Sequence, residues 1–419
     1  MTEKSDILIV GGGAAGMSAA LAVTEHADRS VMVVDDNPHL GGQIWRAELG
    51  KTKSPDAAKL IEAIAGGKIR VVNDAQVFGT AGPDQLLAET PDGRLEIQYS
   101  KLIIATGARE RFLPFPGWTL PGVFGAGGLQ ALVKGGLNIA DKRVVIAGTG
   151  PLLLAVADYL KTKGARVLLI AEQTSAAKIR RFARGLWRSP DKMLQAAAMR
   201  ARLVGIPYQT DCWVTRCTGP HEIKGGTRTL TVTLMRRGRS RSLDCDHVAC
   251  GFHLVPNTEL ASLLGCRVAD GFVSTDEFQR TSIDNISCAG EPTGIGGVES
   301  SLIEGRIAGL AAAGLESDAS RLFPQRERTK RFTASLDRTF ALRSELKRLA
   351  TIDTIVCRCE DVTFGELTAF GNGREAKLQT RCGMGACQGR VCGAAAEFLF
   401  DWETGTVRPP IFPVRMENL

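Results

Sequence analysis

Histidine and tyrosine are scarce, with five and three residues in a chain of 419. The histidines, His26, His39, His221, His247 and His253, are scattered, and each reads as a surface or packing residue. No base for deprotonating a substrate can be named among them. Aromatic residues make up 6% of the chain, few fall among the basic stretches, and no nucleic-acid motif is present, which argues against a nucleic-acid reader. No apolar run approaches the ~18 residues of a membrane-crossing helix. The opening MTEKSD runs into a strand without a secretory apolar core. The expected location is therefore the cytoplasm, with the periphery of the inner membrane as its outer limit. In that compartment eleven cysteines point to metal, catalysis or plain core rather than to a disulfide framework.

What is present is glycine, 47 residues, much of it in clusters beside apolar runs that suit tight turns against a ligand. The composition, 44% hydrophobic and 23% charged, is that of a globular protein. The length allows about two to four domains. The net charge of +7 concentrates at Lys178–Arg202 and Arg321–Arg348. These stretches read as solvated faces or as a surface for an acidic partner subunit.

One pattern occurs twice. A strand over Asp6–Val10 leads into Gly11-Gly-Gly-Ala-Ala-Gly16, a helix to about Val23 and a strand Ser30–Val34 ending at Asp35. Later a strand over Arg143–Ala147 leads into Gly148-Thr-Gly150-Pro, a helix to about Lys163 and a strand Arg166–Ile170 ending near Glu172. The interval from Gly11 to Asp35 equals that from Gly148 to Glu172. Two βαβ units of one gauge imply two dinucleotide folds. A basic, Ala-rich helical stretch follows to about Gln209, then short strands with a turn at Gly225-Gly226. Asp270–Ser287 is expected to be strand-like, Gly297 to about Ala313 helical, and Leu322–Ala350 a charged helical connector. From Ile352 the chain is a small Cys-rich module with a Pro-rich tail.

In the first unit Gly11 permits a tight turn, Gly13 lets the backbone approach a pyrophosphate, and Gly16 allows close packing of helix on strand. The helix start around Ala15 offers amides and a positive dipole end. Asp35, or Asp36 if the strand runs one residue further, would accept from ribose hydroxyls. Three more segments support the site: Gly41-Gly42-Gln43, the strand end at Ala105-Thr106-Gly107, and Gly290-Glu291 with Gly297 opening a helix. Together they resemble the FAD site of the two-dinucleotide-domain flavoproteins, the superfamily of disulfide reductases, NADH oxidases and ferredoxin reductases. The resemblance implies FAD, with Glu291 where that superfamily usually has Asp. It also implies NAD(P)H at the second unit, through Gly148, Gly150 and Glu172. There Leu153 replaces the third glycine and is expected to push the helix away or crowd the phosphates. Three occupancies stay open: weakly held NAD, an adenine nucleotide such as ATP held structurally, or nothing. The superfamily's Cys-x-x-Cys dithiol is absent, and Cys212, Cys217, Cys245, Cys250 and Cys266 read as small core residues.

Five cysteines fall between Cys357 and Cys392. Cys357-x-Cys359 with a distant Cys-x₄-Cys fits an iron–sulfur cluster better than zinc, whose pairs are usually spaced more widely than one residue. Glycines 383, 385, 389 and 393 keep the loop bare, so that amides can reach cluster sulfurs. Four residues separate Cys382 from Cys387 and four separate Cys387 from Cys392, so spacing alone does not choose between these pairs. The module resembles the bacterioferritin-associated-ferredoxin-like [2Fe–2S] domain. That pattern, aligned on Arg381-Cys-Gly-Met-Gly385, implies Cys357, Cys359, Cys387 and Cys392 as ligands and Cys382 as a spare thiol or alternative.

Nearly the whole chain is similar to the alpha subunits of opine oxidases, of hydroxyproline and proline dehydrogenases, and of hydrogen cyanide synthase. Shared stretches include Ala105-Thr-Gly-Ala-Arg-Glu-Arg111, Ala147-Gly-Thr-Gly-Pro-Leu-Leu-Leu154 and Gly383-Met-Gly. The resemblance implies an α/β fold with the second Rossmann-like domain inserted in the first: 1–115 and 266–318 for FAD, 116–265 for the second nucleotide fold, 319–350 as connector and 351–419 as cluster module and tail. It further implies a beta subunit with its own FAD that oxidises an amine or amino acid, a small gamma subunit, an FMN at the subunit contact, and an acceptor such as quinone. Two other readings are a stand-alone NAD(P)H-dependent flavoprotein reductase and a nucleotide-bound assembly scaffold.

Overall fold

A computed structural model describes residues 2–45, 55–66, 68–223, 227–402 and 407–419; the turn expected at Gly225-Gly226 lies outside them. The chain forms two compact units. One is Met1–Arg109, Val255–Thr333 and Thr406–Leu419; the other is Glu110–Leu254 and Ala334–Gly405.

The first unit opens with β1 (Thr2–Val10), α1 (Ala14–His26), β2 (Val31–Val34), β3 (Ile69–Val72), β4 (Gln76–Gly82), β5 (Gln85–Thr90) and β6 (Gly93–Ile104). The sheet order is β3-β2-β1-β6-β5-β4. β1 runs parallel to β2 and β6, and β2 to β3, while β4 and β5 return antiparallel. Ile7, Leu8 and Ile9 are fully buried, as a parallel strand covered on both faces requires.

The second unit begins with β7 (Val123–Gly125), α2 (Ala126–Lys134), β8 (Arg143–Gly148), α3 (Leu152–Thr162), β9 (Arg166–Glu172), α4 (Ala176–Gly185), α5 (Pro190–Arg202) and β10 (Tyr208–Gln209). An antiparallel sheet follows, β11 (Cys212–Ile223), β12 (Thr227–Arg236) and β13 (Arg239–Cys245), then β14 (His247–Gly251). β10-β9-β8-β14-β7 is a wholly parallel sheet. Leu153 does not push its helix away. It is fully buried, facing Gly251, where an added Cβ would lie 3.2 Å from its Cδ2. The bulk gained at Leu153 is matched by a side chain missing opposite.

The chain then rejoins the first unit. β15 (Ile286–Cys288) adds parallel to β6, and α6 (Gly297–Ala312) packs on α1. The segment Asp270–Ser287, expected as strand, is mostly turns. Asp276 accepts from the amides of Phe278 and Arg280 at 2.9 and 2.8 Å, and Thr281 from that of Ile283 at 3.2 Å. These local bonds take the amides a ladder would need. The packing of α6 on α1 depends on two glycines. A Cβ at Gly305 would lie 2.1 Å from the Ala15 carbonyl oxygen, and one at Gly309 2.4 Å from that of Ala19. Gly305→Val is therefore expected to cost stability at the upper end of roughly 1–3 kcal/mol, read as a fall in thermal midpoint. An unchanged midpoint would remove the close approach from the account.

The connector is α7 (Phe323–Phe340) and a short turn, Ser344–Arg348. In the second unit the C-terminal module pairs β16 (Ile355–Cys357) with β17 (Val362–Thr363), followed by α8 (Gly373–Thr380) and α9 (Cys392–Phe400). Phe364, Phe400 and Trp402 stack in a row with centroids 5.2 and 4.4 Å apart. The tail goes with the first unit. The Ile411 amide donates to the Phe78 carbonyl at 2.8 Å, and Asn418 and Arg415 bond to Glu89.

Candidate functional site

In the first unit the β1–α1 turn brings a glycine backbone up to an open cleft. Its lining includes Gly11, Gly13, Asp35, Asp36, Gly42, Gln43, Ala105, Thr106 and Gly107, so three of the four segments expected to cooperate meet there. Gly11 has φ +109°, and a Cβ there would lie 2.2 Å from the Ala105 carbonyl oxygen; the turn admits only glycine. Gly16 likewise leaves no room, its Cβ position lying 1.8 Å from the Gly11 oxygen. At Gly13 the nearest atom to an added Cβ is the Gly42 Cα, 3.8 Å away. No side chain caps α1 at Gly13. This is an open seat beside an uncapped helix start, which suits a pyrophosphate.

The acid at the end of β2 holds the turn. Asp35 is buried, and its Oδ2 accepts from the Gly12 amide at 2.5 Å. Its Oδ1 accepts from the Asn37 amide and side chain, both at 2.8 Å. Asp36 is exposed and accepts from Asn37 Nδ2 at 2.6 Å. Gly290, Glu291 and Gly297 do not line the cleft directly. They approach α1, since a Cβ on Gly290 would lie 2.9 Å from that of Ala15. Glu291 Oε1 accepts from the Gly297 amide at 3.0 Å, while its buried Oε2 has no partner among the described residues. Glu304 holds this corner by accepting from the Gly290 amide at 3.0 Å and the Thr293 hydroxyl at 2.9 Å. An orphaned carboxylate oxygen, an open glycine seat and an uncapped helix start fit a bound dinucleotide with hydroxyls to donate.

Burial first, then the Glu304 charge, pushes the Glu291 carboxyl from 4.5 up to about 7. The unfolded chain ionises near the ordinary value, so folding favours the protonated form across that interval. Stability is then fully present below the lower value and falls as pH rises through the upper one, by roughly 3 kcal/mol at most. Glu304, also raised by burial, adds a contribution of the same sign. In flavin-free protein Glu291→Gln is expected to flatten part of the decline in thermal midpoint between about pH 5 and about pH 8. A decline as steep as in the wild type would count against Glu291 as its source.

The second glycine turn, in the other unit, is closed by its own chain. Glu172 is fully buried; it accepts from the Gly150 and Thr174 amides, both at 2.8 Å, and from the Thr149 hydroxyl at 3.1 Å. Burial pushes its carboxyl up. Phe340 lies over the turn, 3.9 Å from a Cβ placed on Gly150. Its carbonyl accepts from the Thr149 hydroxyl at 3.1 Å and contacts His253 Nε2 at 2.8 Å. Gln173 bridges onward, donating to the Ala341 carbonyl at 3.0 Å and accepting from the Arg343 amide at 2.9 Å. A Cβ on Gly148 would lie 1.9 Å from the Gly251 oxygen. The expected ligands Gly148, Gly150 and Glu172 are thus together, but Gly150 is bonded to Glu172 and covered by Phe340.

In the C-terminal module the sulfurs of Cys357, Cys382 and Cys392 all lie within 4.8 Å of one another. Thiols of Cys382 and Cys392 donate to the Cys357 sulfur, as do the amides of Gly383 and Glu360, and together they hold its pKa far down. The Cys382 and Cys392 thiols are raised correspondingly. Exposed Cys359 and half-buried Cys387 form a neighbouring pair, with the Cys387 amide donating to the Cys359 sulfur and the Cys359 thiol donating to the Cys387 sulfur. Gly385 permits this fold, because a Cβ there would lie 2.3 Å from that of Cys359. The five sulfurs therefore stand as a trio and a pair, and Cys382, set aside from the ligand set on resemblance, is in the trio. An all-thiol donor set with amides aimed at sulfur fits a cluster.

Residues 5–312 match the family described as pyridine nucleotide-disulphide oxidoreductase. The chain belongs to this family. Within the family it is 32% identical to the HcnB component of hydrogen cyanide synthase from Pseudomonas aeruginosa, over 92% of this chain and 90% of that one. It is 30% identical to an opine oxidase subunit of Rhizobium meliloti, over 100% and 88%. Its fold matches a crystal structure of L-proline dehydrogenase from P. horikoshii with TM-score 0.70 and 19% identity, covering 100% of this chain and 80% of that one. The chain is thus a Rossmann-type flavoprotein oxidoreductase with FAD as the family's cofactor, and no described helix is long and apolar enough to cross a membrane. Despite the disulphide in the family's description, the cysteines outside the module are buried free thiols. Burial raises Cys212 to about 11 and Cys217 and Cys245 to about 12.

Several cleft residues have no signal in the sequence. Asn257 donates to the Thr106 carbonyl at 2.9 Å and accepts from Arg109 at 2.7 Å, while its own carbonyl accepts from the Thr106 hydroxyl at 2.7 Å. Arg109 also pairs with Glu259 at 2.9 Å. Ile411 and Phe412 supply another wall.

Proposed function

We propose that this chain is the flavin and iron–sulfur subunit of a heteromeric dehydrogenase acting on an amine or amino acid CH–NH bond. In this reading the first-unit cleft holds FAD. Cys357, Cys359, Cys387 and Cys392 hold a [2Fe–2S] cluster, with Cys382 as the alternative ligand. When bound, such a flavin takes up electrons in pairs and such a cluster passes them singly. The convergence of the module's sulfurs carries the reading. The names of the relatives add to it, being subunits of opine oxidase and hydrogen cyanide synthase and a proline dehydrogenase.

Each part of the chain has a share in this work. Gly13 and the uncapped start of α1 bind the pyrophosphate, Glu291 accepts from a ribityl hydroxyl, and the Thr106–Asn257 bonds keep the neighbouring turn in place. In this reading the amine is oxidised in a partner beta subunit with its own FAD. An FMN at the subunit contact, a small gamma subunit and a quinone-type acceptor complete the proposed assembly.

A stand-alone NAD(P)H reductase needs an open turn for the pyrophosphate of its pyridine nucleotide, and at the second glycine turn Phe340 lies over Gly150 while Glu172 is bonded by its own chain. Anaerobically purified protein should contain flavin and about two irons per chain. Adding NADH should leave the flavin absorbance unbleached on the timescale of turnover. Iron-free protein would sink the cluster, and rapid bleaching would revive the reductase.

A further inference from the structure

The second unit carries a helix with an apolar face that is exposed among the described residues. At 3.6 residues per turn, Met193, Leu194, Ala197, Ala198 and Ala201 of α5 share one side, and Val204 continues it. All six are exposed, Leu194 by 67% and Val204 by 76%. The opposite side of α5 carries Met199, half-buried, and, just beyond its end, buried Leu203. Arg200 and Arg202 stand at the two borders between these sides. Just before α5, Trp187 is 68% exposed. The preceding helix α4 presents exposed Lys178, Arg180, Arg181 and Arg184. Between Ala176 and Val204 the sequence has eight lysines and arginines against one acid, Asp191.

We propose that the α4–α5 face docks on an anionic lipid surface, with Leu194, Met193, Val204 and Trp187 entering the headgroup boundary and the cations of α4 among the lipid phosphates. A membrane interface asks for an apolar face bordered by cations, and α5 has that form. The face carries no hydrogen-bonding side chain, whereas a protein interface of ordinary size needs several direct hydrogen bonds. A second copy of the chain would bring the same excess of positive charge and be repelled. Arg202 already pairs with Asp158 at 2.9 Å, so α4 supplies most of the attraction. The docking is independent of the cofactor assignment, since it concerns neither the cleft nor the cysteines.

The test is sedimentation of the full chain with vesicles of phosphatidylcholine, with and without phosphatidylglycerol. The chain should pellet with the anionic vesicles only and be released by salt. Leu194→Glu and the pair Arg180→Glu/Arg181→Glu should each weaken binding by about tenfold or more. Thermal midpoint and flavin and iron content should be unchanged in both, because these side chains are exposed. Wild-type protein that stays in the supernatant with anionic vesicles at low salt overturns the proposal and leaves the face to an acidic protein partner. Variants that bind as well as the wild type overturn it also.

Discussion

Cys357→Ser should yield a protein that keeps its flavin and loses its iron. The residue ends β16, and its sulfur gathers two other thiols and two amides. A serine hydroxyl does not supply the soft anionic donor that iron of this kind requires. Iron should fall from about two per chain to near zero, with the visible cluster absorption and the reduced-state EPR signal disappearing together. The cleft proposed for the flavin is built from residues of the other unit and should be unaffected. A parallel pair of variants identifies the ligand that spacing leaves open. If Cys387 is a ligand, Cys387→Ser empties the site and Cys382→Ser leaves it filled; the reverse result would make Cys382 the ligand. Undiminished iron in Cys357→Ser would defeat the assignment as a whole.

Gly13→Val should release the flavin without unfolding the protein. Most glycines of this turn cannot report on ligand binding, because a side chain at Gly11 or Gly16 meets backbone first. Gly13 differs. Its backbone is extended, at φ −78° and ψ −167°, and an added Cβ meets nothing closer than 3.8 Å. A β-branched residue is at ease in that conformation. With a pyrophosphate at this turn, as proposed, the added methyls take room that its oxygens need. A steric cost of about 3 kcal/mol there amounts to roughly a hundredfold loss of FAD affinity. Titration of flavin-free protein would measure it, with the thermal midpoint of that protein as the control for folding. Undiminished affinity would refute the role given to Gly13.

Much of this is legible in the sequence because it is local. A glycine turn between a strand and a helix is written in adjacent residues, and so are both βαβ units and the Cys-rich loop. What escapes depends on residues far apart in the chain. Leu153 reads as an obstacle until Gly251, nearly a hundred positions later, is found opposite it. Phe340 is one more apolar residue at the end of a charged helix, and only the fold lays it over Gly150. Glycines 305 and 309 sit in a helix, where they look like simple weak points, and their use is visible only against the Ala15 and Ala19 carbonyls. Asp270–Ser287 misleads for the opposite reason: Asp276 and Thr281 form bonds so local that its middle turns instead of extending as a strand.

The cleft's walls come from both extremes of the described chain. Its floor is the Gly11–Gly13 turn, whereas Ile411 and Phe412 complete its rim, anchored through the Phe78 carbonyl. During synthesis the pyrophosphate seat can form early, but its enclosure waits until the ribosome has finished the cysteine-rich module. A cofactor bound in that cleft would meet its full enclosure only once the segment carrying Ile411 and Phe412 had been made and had docked.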